Sequence, residues 1–473
     1  MKLLIALVVV SVIFYLSCLD WRRSVKSLLL LILLEGVLRK WILPQASELI
    51  YFLKDIVLFG AYFQYYGLAK NKLPQFKIEF FNIFLLLSFL WCLFQVFNPS
   101  LGSFVVGIWG LKNYFYYVPI IWMLPNLFES EAEFKEFLKQ QLIFVIPVGI
   151  LGIIQFFSPA SSPINSYAPG LEQSGGNTAL FGGGGNVRIT GAFSYVNTYI
   201  PYLLFNISIA LIFLEEKLQQ KETLIVISSG ILLILNSFMT GSRTIIFAVG
   251  LLLIGYFSIK SIGQFNKVWR ILQWTLPPTL ILVGLTPVIF ASEVETVFER
   301  ILLTSDLRIR LLLFVIEPIN NLQFKHFDSF GIGSTHQATP ILRNILNLPM
   351  GEIIPIGYES EMGRIVLEIG PIGFILWYAL KIAVMAALFS LYWKLKRPFL
   401  RNLALIAFLM QIIWLPNQHV FHITYNVYYW WMTGFIYLLP HLEKMENWRK
   451  QYQQYQIVHS YEQLPYFPDS SYR

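Results

Sequence analysis

Charge is scarce in this chain of 473 residues: 13% are Asp, Glu, Lys or Arg and 56% are hydrophobic, whereas a soluble domain carries about a quarter charged residues. With a mean hydropathy of +0.60, that scarcity excludes a water-soluble globular enzyme and reads as an integral membrane protein. Cysteine is nearly absent. Cys18 and Cys92 each lie inside an apolar run, so no disulfide framework is expected and the redox compartment is not legible from them. Histidine is sparse as well. His419 and His422 sit at helical spacing without a Cys or Asp ligand set nearby, and His326 and His336 read as solvated loop residues, so the sequence asks for no metal and no other cofactor. There is no Walker sequence, no Asp-x-Asp pair and no Ser-His-Asp signature. The formal charge of +8 is spread thinly through short loops, which argues against nucleic acid as a partner.

What is present is apolar length. About thirteen runs, from 2–18 to 423–440, approach or reach the roughly 17–25 residues that cross a bilayer. They predict an all-α, polytopic membrane protein of about 12–13 spanning helices in a single domain, 1–440. Lys and Arg alternate between successive loops: Arg22, Arg23 and Lys26 follow the first run, Lys70, Lys72 and Lys77 the third, Lys135 and Lys139 the fifth. The intervening turns around Gln45, Pro99 and Asn417 carry neither. Because basic loops stay cytoplasmic, the N-terminus is expected outside and the tail 441–473 inside, the latter disordered. Two long segments then fall outside, 159–196 and 292–360, the second carrying an amphipathic helix. Its neighbour in the first, the glycine-rich stretch from Ser174 to Asn186, reads as a flexible loop tip.

Charges inside spans cost roughly 2.5–3.5 kcal/mol each on insertion scales and therefore need a partner or a task. Glu35 and Arg39, one helical turn apart, can neutralise each other, and Lys54-Asp55 lies in the next run. Lys112 has no obvious local partner and reads equally as structure or as ligand. A second group gathers on the expected outer side: Arg188, Arg243, Arg308 and Arg310, with Asp306 four residues before Arg310, and the Glu361, Arg364, Glu368 ladder running into an apolar helix. Each arginine alone reads as a salt bridge. Together they offer the planar forks that bind phosphate with two parallel hydrogen bonds, which suits a lipid-linked diphosphate.

The stretch Arg188-Ile-Thr-Gly-Ala-Phe193 with Asn197, then Ser242-Arg243, Asp306 to Arg310, Gly331-Ile-Gly333 and Glu368-Ile-Gly-Pro-Ile-Gly373, in that order, resembles the O-antigen ligase and O-antigen polymerase superfamily of bacterial membrane glycosyltransferases. The resemblance covers about 188–373, and Glu35 to Pro44 with Lys54-Asp55 resembles a subgroup. It implies a large external loop over a cavity and transfer of a glycan from an undecaprenyl-diphosphate carrier to an acceptor glycan or lipid, without metal or nucleotide sugar. It further implies location in the bacterial inner membrane, with Arg188, Arg243 and Arg310 on the diphosphate; Arg308 and Lys112 are added to them, with Arg364, Glu368, Gly370, Gly373 and Arg39 in support. Ligases carry His-Asn nine residues before the Glu of the glycine signature. Here that position is Glu359-Ser360, which favours a polymerase and makes Glu359 or Glu361 the candidate base. A transporter or flippase stays open as the rival, because buried charges also line substrate paths.

Overall fold

The protein is described from a computed structural model covering residues 2–68, 80–169, 180, 186–262, 273, 316–325, 328–417 and 419–462. Among these residues the chain is helical, without a strand. The elements used below are α1 (Lys2–Leu19), α2 (Trp21–Val37), α3 (Leu53–Tyr62), α4 (Phe80–Gln95), α5 (Phe104–Phe115), α6 (Glu131–Phe157), α7 (Val196–Phe213), α8 (Gln220–Met239), α9 (Arg243–Ile262), α10 (Thr339–Leu346), α11 (Glu361–Lys394), α12 (Pro398–Trp414), α13 (Ile423–Thr433) and α14 (Phe435–Glu462). Five of them, α6, α7, α8, α9 and α11, are long and apolar enough to cross a membrane. The expected tenth span, 271–291, the amphipathic stretch at 298–310 and most of the glycine-rich piece lie outside the described residues.

Local chemistry sets several helix starts. Asp20 accepts the Arg23 N–H at 3.0 Å at the start of α2, Ser130 accepts the Glu133 N–H at 3.0 Å at α6, and Ser360 accepts the Gly363 N–H at 2.9 Å at α11. Each satisfies a donor that a helix N-terminus leaves without an internal partner. Helix α7 is buried nearly all round, as a core helix should be. Around it, α4 and α11 expose Leu86, Leu90, Phe94, Ile375 and Ile382, an outward apolar surface that suits lipid better than water.

One expectation needs correction. The tail is not disordered from 441 onward, since α14 continues to Glu462. It is anchored by Phe435, Leu438, Leu439 and Leu442 in the core, and Arg449 donates to the Glu129 carbonyl at 2.8 Å. Within the expected 159–196 segment, residues 187–196 are irregular up to the start of α7 and largely buried. Gln155 clasps it by accepting the Gly191 N–H at 2.8 Å and donating to the Gly191 carbonyl at 3.0 Å.

Helix α11 bends where the glycine signature sits. Gly370 has φ 68° and ψ 179°, a conformation open essentially to glycine, and Pro371 has no N–H to return to the Leu367 carbonyl one turn earlier. That carbonyl instead accepts the Phe330 N–H at 2.8 Å, and Trp91 Nε1 of α4 donates to the Ile369 carbonyl at 2.8 Å. The kink thereby docks the turn that begins at Ser329 onto a long apolar helix.

Candidate functional site

The docked turn, 329–336, is held from several sides. Ser329 donates to Gln95 at 2.7 Å, and Asn98 donates to the Ser329 carbonyl at 3.0 Å. Gly331 and Gly333 have φ of +87° and +86°. A side chain on Gly333 would strike the α5 backbone at Gly110 and Val106, so glycine is needed for both conformation and approach. Beneath the turn, Glu368 accepts from the Thr335 N–H at 3.0 Å, the Thr335 hydroxyl at 2.8 Å and the Tyr114 hydroxyl at 3.0 Å. Arg364 donates to the Thr335 hydroxyl at 3.2 Å and its carbonyl at 2.7 Å, with its guanidinium 3.6 Å from the centre of the Phe421 ring. Arg364 and Glu368 therefore meet through Thr335.

Above this network opens a cavity of about 1140 Å³, lined among others by Asn197, His336, Tyr358, Glu359, Arg364 and His422. Its lining includes the exposed apolar side chains of Met350, 79% exposed, and Ile353, 83% exposed, beside the exposed Glu352. Glu359 is exposed on the cavity, and its backbone N–H donates to Glu317 at 3.0 Å. Glu317 also accepts the Ser360 N–H at 3.0 Å, so a carboxylate from the helix at 316–325 fixes the start of α11. His336 was expected in solvent. It is buried, packed edge-on to Trp109 at 5.5 Å, and desolvation, reinforced by the Arg364 charge, holds its imidazole well below the usual histidine range.

The remaining expected site residues divide. Glu361 is fully buried, 2.5 Å from Lys381 Nζ and 3.0 Å from His419 Nδ1, and it accepts the Val420 N–H at 3.3 Å. It is not among the described lining residues of the cavity, and its contacts tie the start of α11 to the 415–423 loop. Of the Glu361, Arg364, Glu368 ladder, Glu361 turns to Lys381 and His419, while Arg364 and Glu368 share Thr335. Lys112 does have a partner, Asp55 at 2.7 Å, and Asp55 also accepts from the Tyr117 hydroxyl. Arg39 lies with Glu35 at 3.0 Å, Ser47 at 2.9 Å and Ser194 at 3.3 Å. Arg188 donates to the Thr240 carbonyl at 2.9 Å, which brings it to the turn where Arg243 opens α9. Neither is among the described lining residues of the cavity. Gly373 faces Trp91 of α4, 2.7 Å from where a Cβ would stand. Arg308 and Arg310, with Asp306, lie outside the described residues, as does His326.

Thr335, Tyr114, Glu317, His336 and His422 were not singled out as site residues. Only the proximity of Thr335 and His336 to Gly331-Ile-Gly333 offered a signal in the sequence. His419 and His422 precede α13 instead of sharing one of its faces. Among the described residues no three His, Cys, Asp or Glu converge into a metal-binding group. In comparisons with known proteins, no family model, no curated protein and no solved structure matches the chain.

Proposed function

We propose that this protein is a membrane glycosyltransferase that moves a glycan from an undecaprenyl-diphosphate carrier to an acceptor at the outer face of a bacterial inner membrane, polymerase-like more than ligase-like. The observation that carries the reading is the cavity at the head of α11, polar at its floor and bordered by the exposed apolar Met350 and Ile353, with Glu359 exposed on it and Arg364 beneath. That combination suits an amphiphilic substrate with a polar head and a hydrocarbon tail. The order of sequence features from Arg188 to Gly373 points to the same superfamily, with 12–13 spans and the N-terminus outside.

In this reading the acceptor hydroxyl oxygen forms a bond to the anomeric carbon while the bond from that carbon to the diphosphate oxygen breaks. The leaving diphosphate takes the electron pair, and preorganised guanidinium groups stabilise its charge; Arg188 and Arg243 are the described candidates. Glu359 takes the proton from the acceptor hydroxyl. No step needs a metal, so transfer by the purified protein is expected to persist in EDTA; complete loss restored by a divalent ion would remove the mechanism.

Deletion of the gene, followed by gel analysis of surface polysaccharide, tests the function. Loss of long chains with single repeat units retained supports a polymerase. Loss of attachment with intact lipid-linked polymer marks a ligase, and trapping of units on the inner face marks a flippase and overturns the reading.

A further inference from the structure

The turn over Glu368 contains polar atoms that the fold leaves unused. His336 Nδ1 accepts the Ala338 N–H at 3.1 Å. A neutral imidazole has one acceptor and one donor nitrogen, so its proton sits on Nε2, and Nε2 has no hydrogen-bond partner among the described residues. The same is true of the Ser334 hydroxyl. Both residues line the cavity, and His336 is only 3% exposed. Buried donors are nearly always paired, with protein, water or ligand.

The formal charges around the cavity cancel: Arg343 and Arg364 stand against Glu352 and Glu359. Arg343 is directed to the backbone carbonyls of Leu101 and Pro349, while Glu352 meets Lys325 and Ser100. A diphosphate would therefore find no surplus of positive charge among the described lining residues. Uncharged hydrogen-bonding groups are plentiful, including Asn197, Gln337, Asn344 and Tyr358. We propose that this cavity seats uncharged sugar rings and not the diphosphate, with His336 Nε2–H and the Ser334 hydroxyl hydrogen-bonding to ring hydroxyls. The proposal rests on the glycan-transfer reading and divides it in space: sugar here, diphosphate at the Arg188 and Arg243 turn.

The test uses purified full-length protein in a sugar-free detergent with two probes, farnesyl diphosphate and a printed array of neutral oligosaccharides from bacterial surface polysaccharides. Wild type is expected to bind both. His336→Phe should weaken oligosaccharide binding about three- to tenfold, the size of one neutral hydrogen bond, and leave farnesyl diphosphate affinity unchanged. His336→Gln, which retains an N–H donor, should recover most of the loss. Ser334→Ala should show the same split between probes and serves if His336→Phe does not fold. An unchanged oligosaccharide affinity in both His336→Phe and Ser334→Ala, or weaker binding of farnesyl diphosphate instead, overturns the assignment. Wild type that binds farnesyl diphosphate but no neutral oligosaccharide overturns the sugar seat and leaves the lipid-diphosphate reading standing. Binding of neither probe removes both.

Discussion

Two buried sets of charge in this molecule are built on opposite plans. Around Glu35 the set is shut away from any large cavity: Arg39 at 3.0 Å and Lys54 at 2.5 Å share its carboxylate and Lys112 meets Asp55 at 2.7 Å, while the neighbouring Lys40 is held by neutral groups, donating to Thr190 at 2.7 Å and to the Gly191 and Phe193 carbonyls at 3.2 Å. The void beside Glu35 and Lys54 is about 10 Å³, room for no more than one water. Around Arg364 the plan is open: it shares Thr335 with Glu368, lies over the Phe421 and Tyr358 rings, and lines a large cavity. Charge met by opposite charge fixes helices against each other. Charge that lines a cavity can face a ligand.

The contrast predicts different failures. Glu359→Gln, at the open site, should reduce glycan transfer by about 10²–10⁴-fold, the usual contribution of a general base, with unfolding unchanged. Transfer per folded molecule measures this, and a wild-type rate would remove Glu359 from the chemistry. Glu35→Ala, in the closed set, should do the reverse. Removing one partner of a buried ion group costs roughly 3–5 kcal/mol, so monodisperse protein in detergent should fall sharply while the fraction that folds keeps its specific activity. A well-folded but inactive Glu35→Ala would break the comparison.

How far the two plans were legible depends on where the partners lie in the chain. Glu35 and Arg39 stand at i,i+4 spacing and do pair. Glu361, Arg364 and Glu368 are spaced as regularly, but Lys381, Thr335 and Tyr114 also reach them from elsewhere in the fold. Apolar run length made the helical class and the long membrane helices readable. It said nothing of α14 running on through 441–462, where packing against the Glu129–Glu131 corner holds a polar sequence helical. The glycine signature was visible as a motif, but its role required the Leu367 carbonyl to meet Phe330.

A smaller loss follows from that last contact. Gly370→Ala places a Cβ at φ 68°, ψ 179°, a region that costs roughly 1–3 kcal/mol for other residues. Thermal unfolding in detergent should drop accordingly, and transfer should fall with it as the turn carrying Thr335 loosens from α11. Equal stability of variant and wild type would mean that the bend does not depend on glycine.

The smallest effect is expected at the cavity rim. Lys325 lies within hydrogen-bonding distance of both Glu352 and Ser100, and its side chain is 21% exposed against 46% for Glu352. Hydrogen bonds from Lys325 and Ser100 hold the Glu352 carboxyl below its ordinary range. A carboxyl depressed in the folded state stabilises above its unfolded pKa of about 4.3, and that contribution is lost as pH falls through the lower folded value. Exposed pairs contribute about 0–1 kcal/mol, and Met keeps the length of the side chain while removing the ammonium, which also lies 5.0 Å from the centre of the Phe330 ring. Lys325→Met should therefore lower stability by no more than about 1 kcal/mol at pH 7, with the difference from wild type shrinking in acid as Glu352 protonates. Unfolding curves at neutral and acidic pH measure this, alongside a transfer rate expected to stay near wild type. If Lys325→Met folds normally yet transfers slowly, the rim belongs to the open site and the boundary between the two plans has to be redrawn around it.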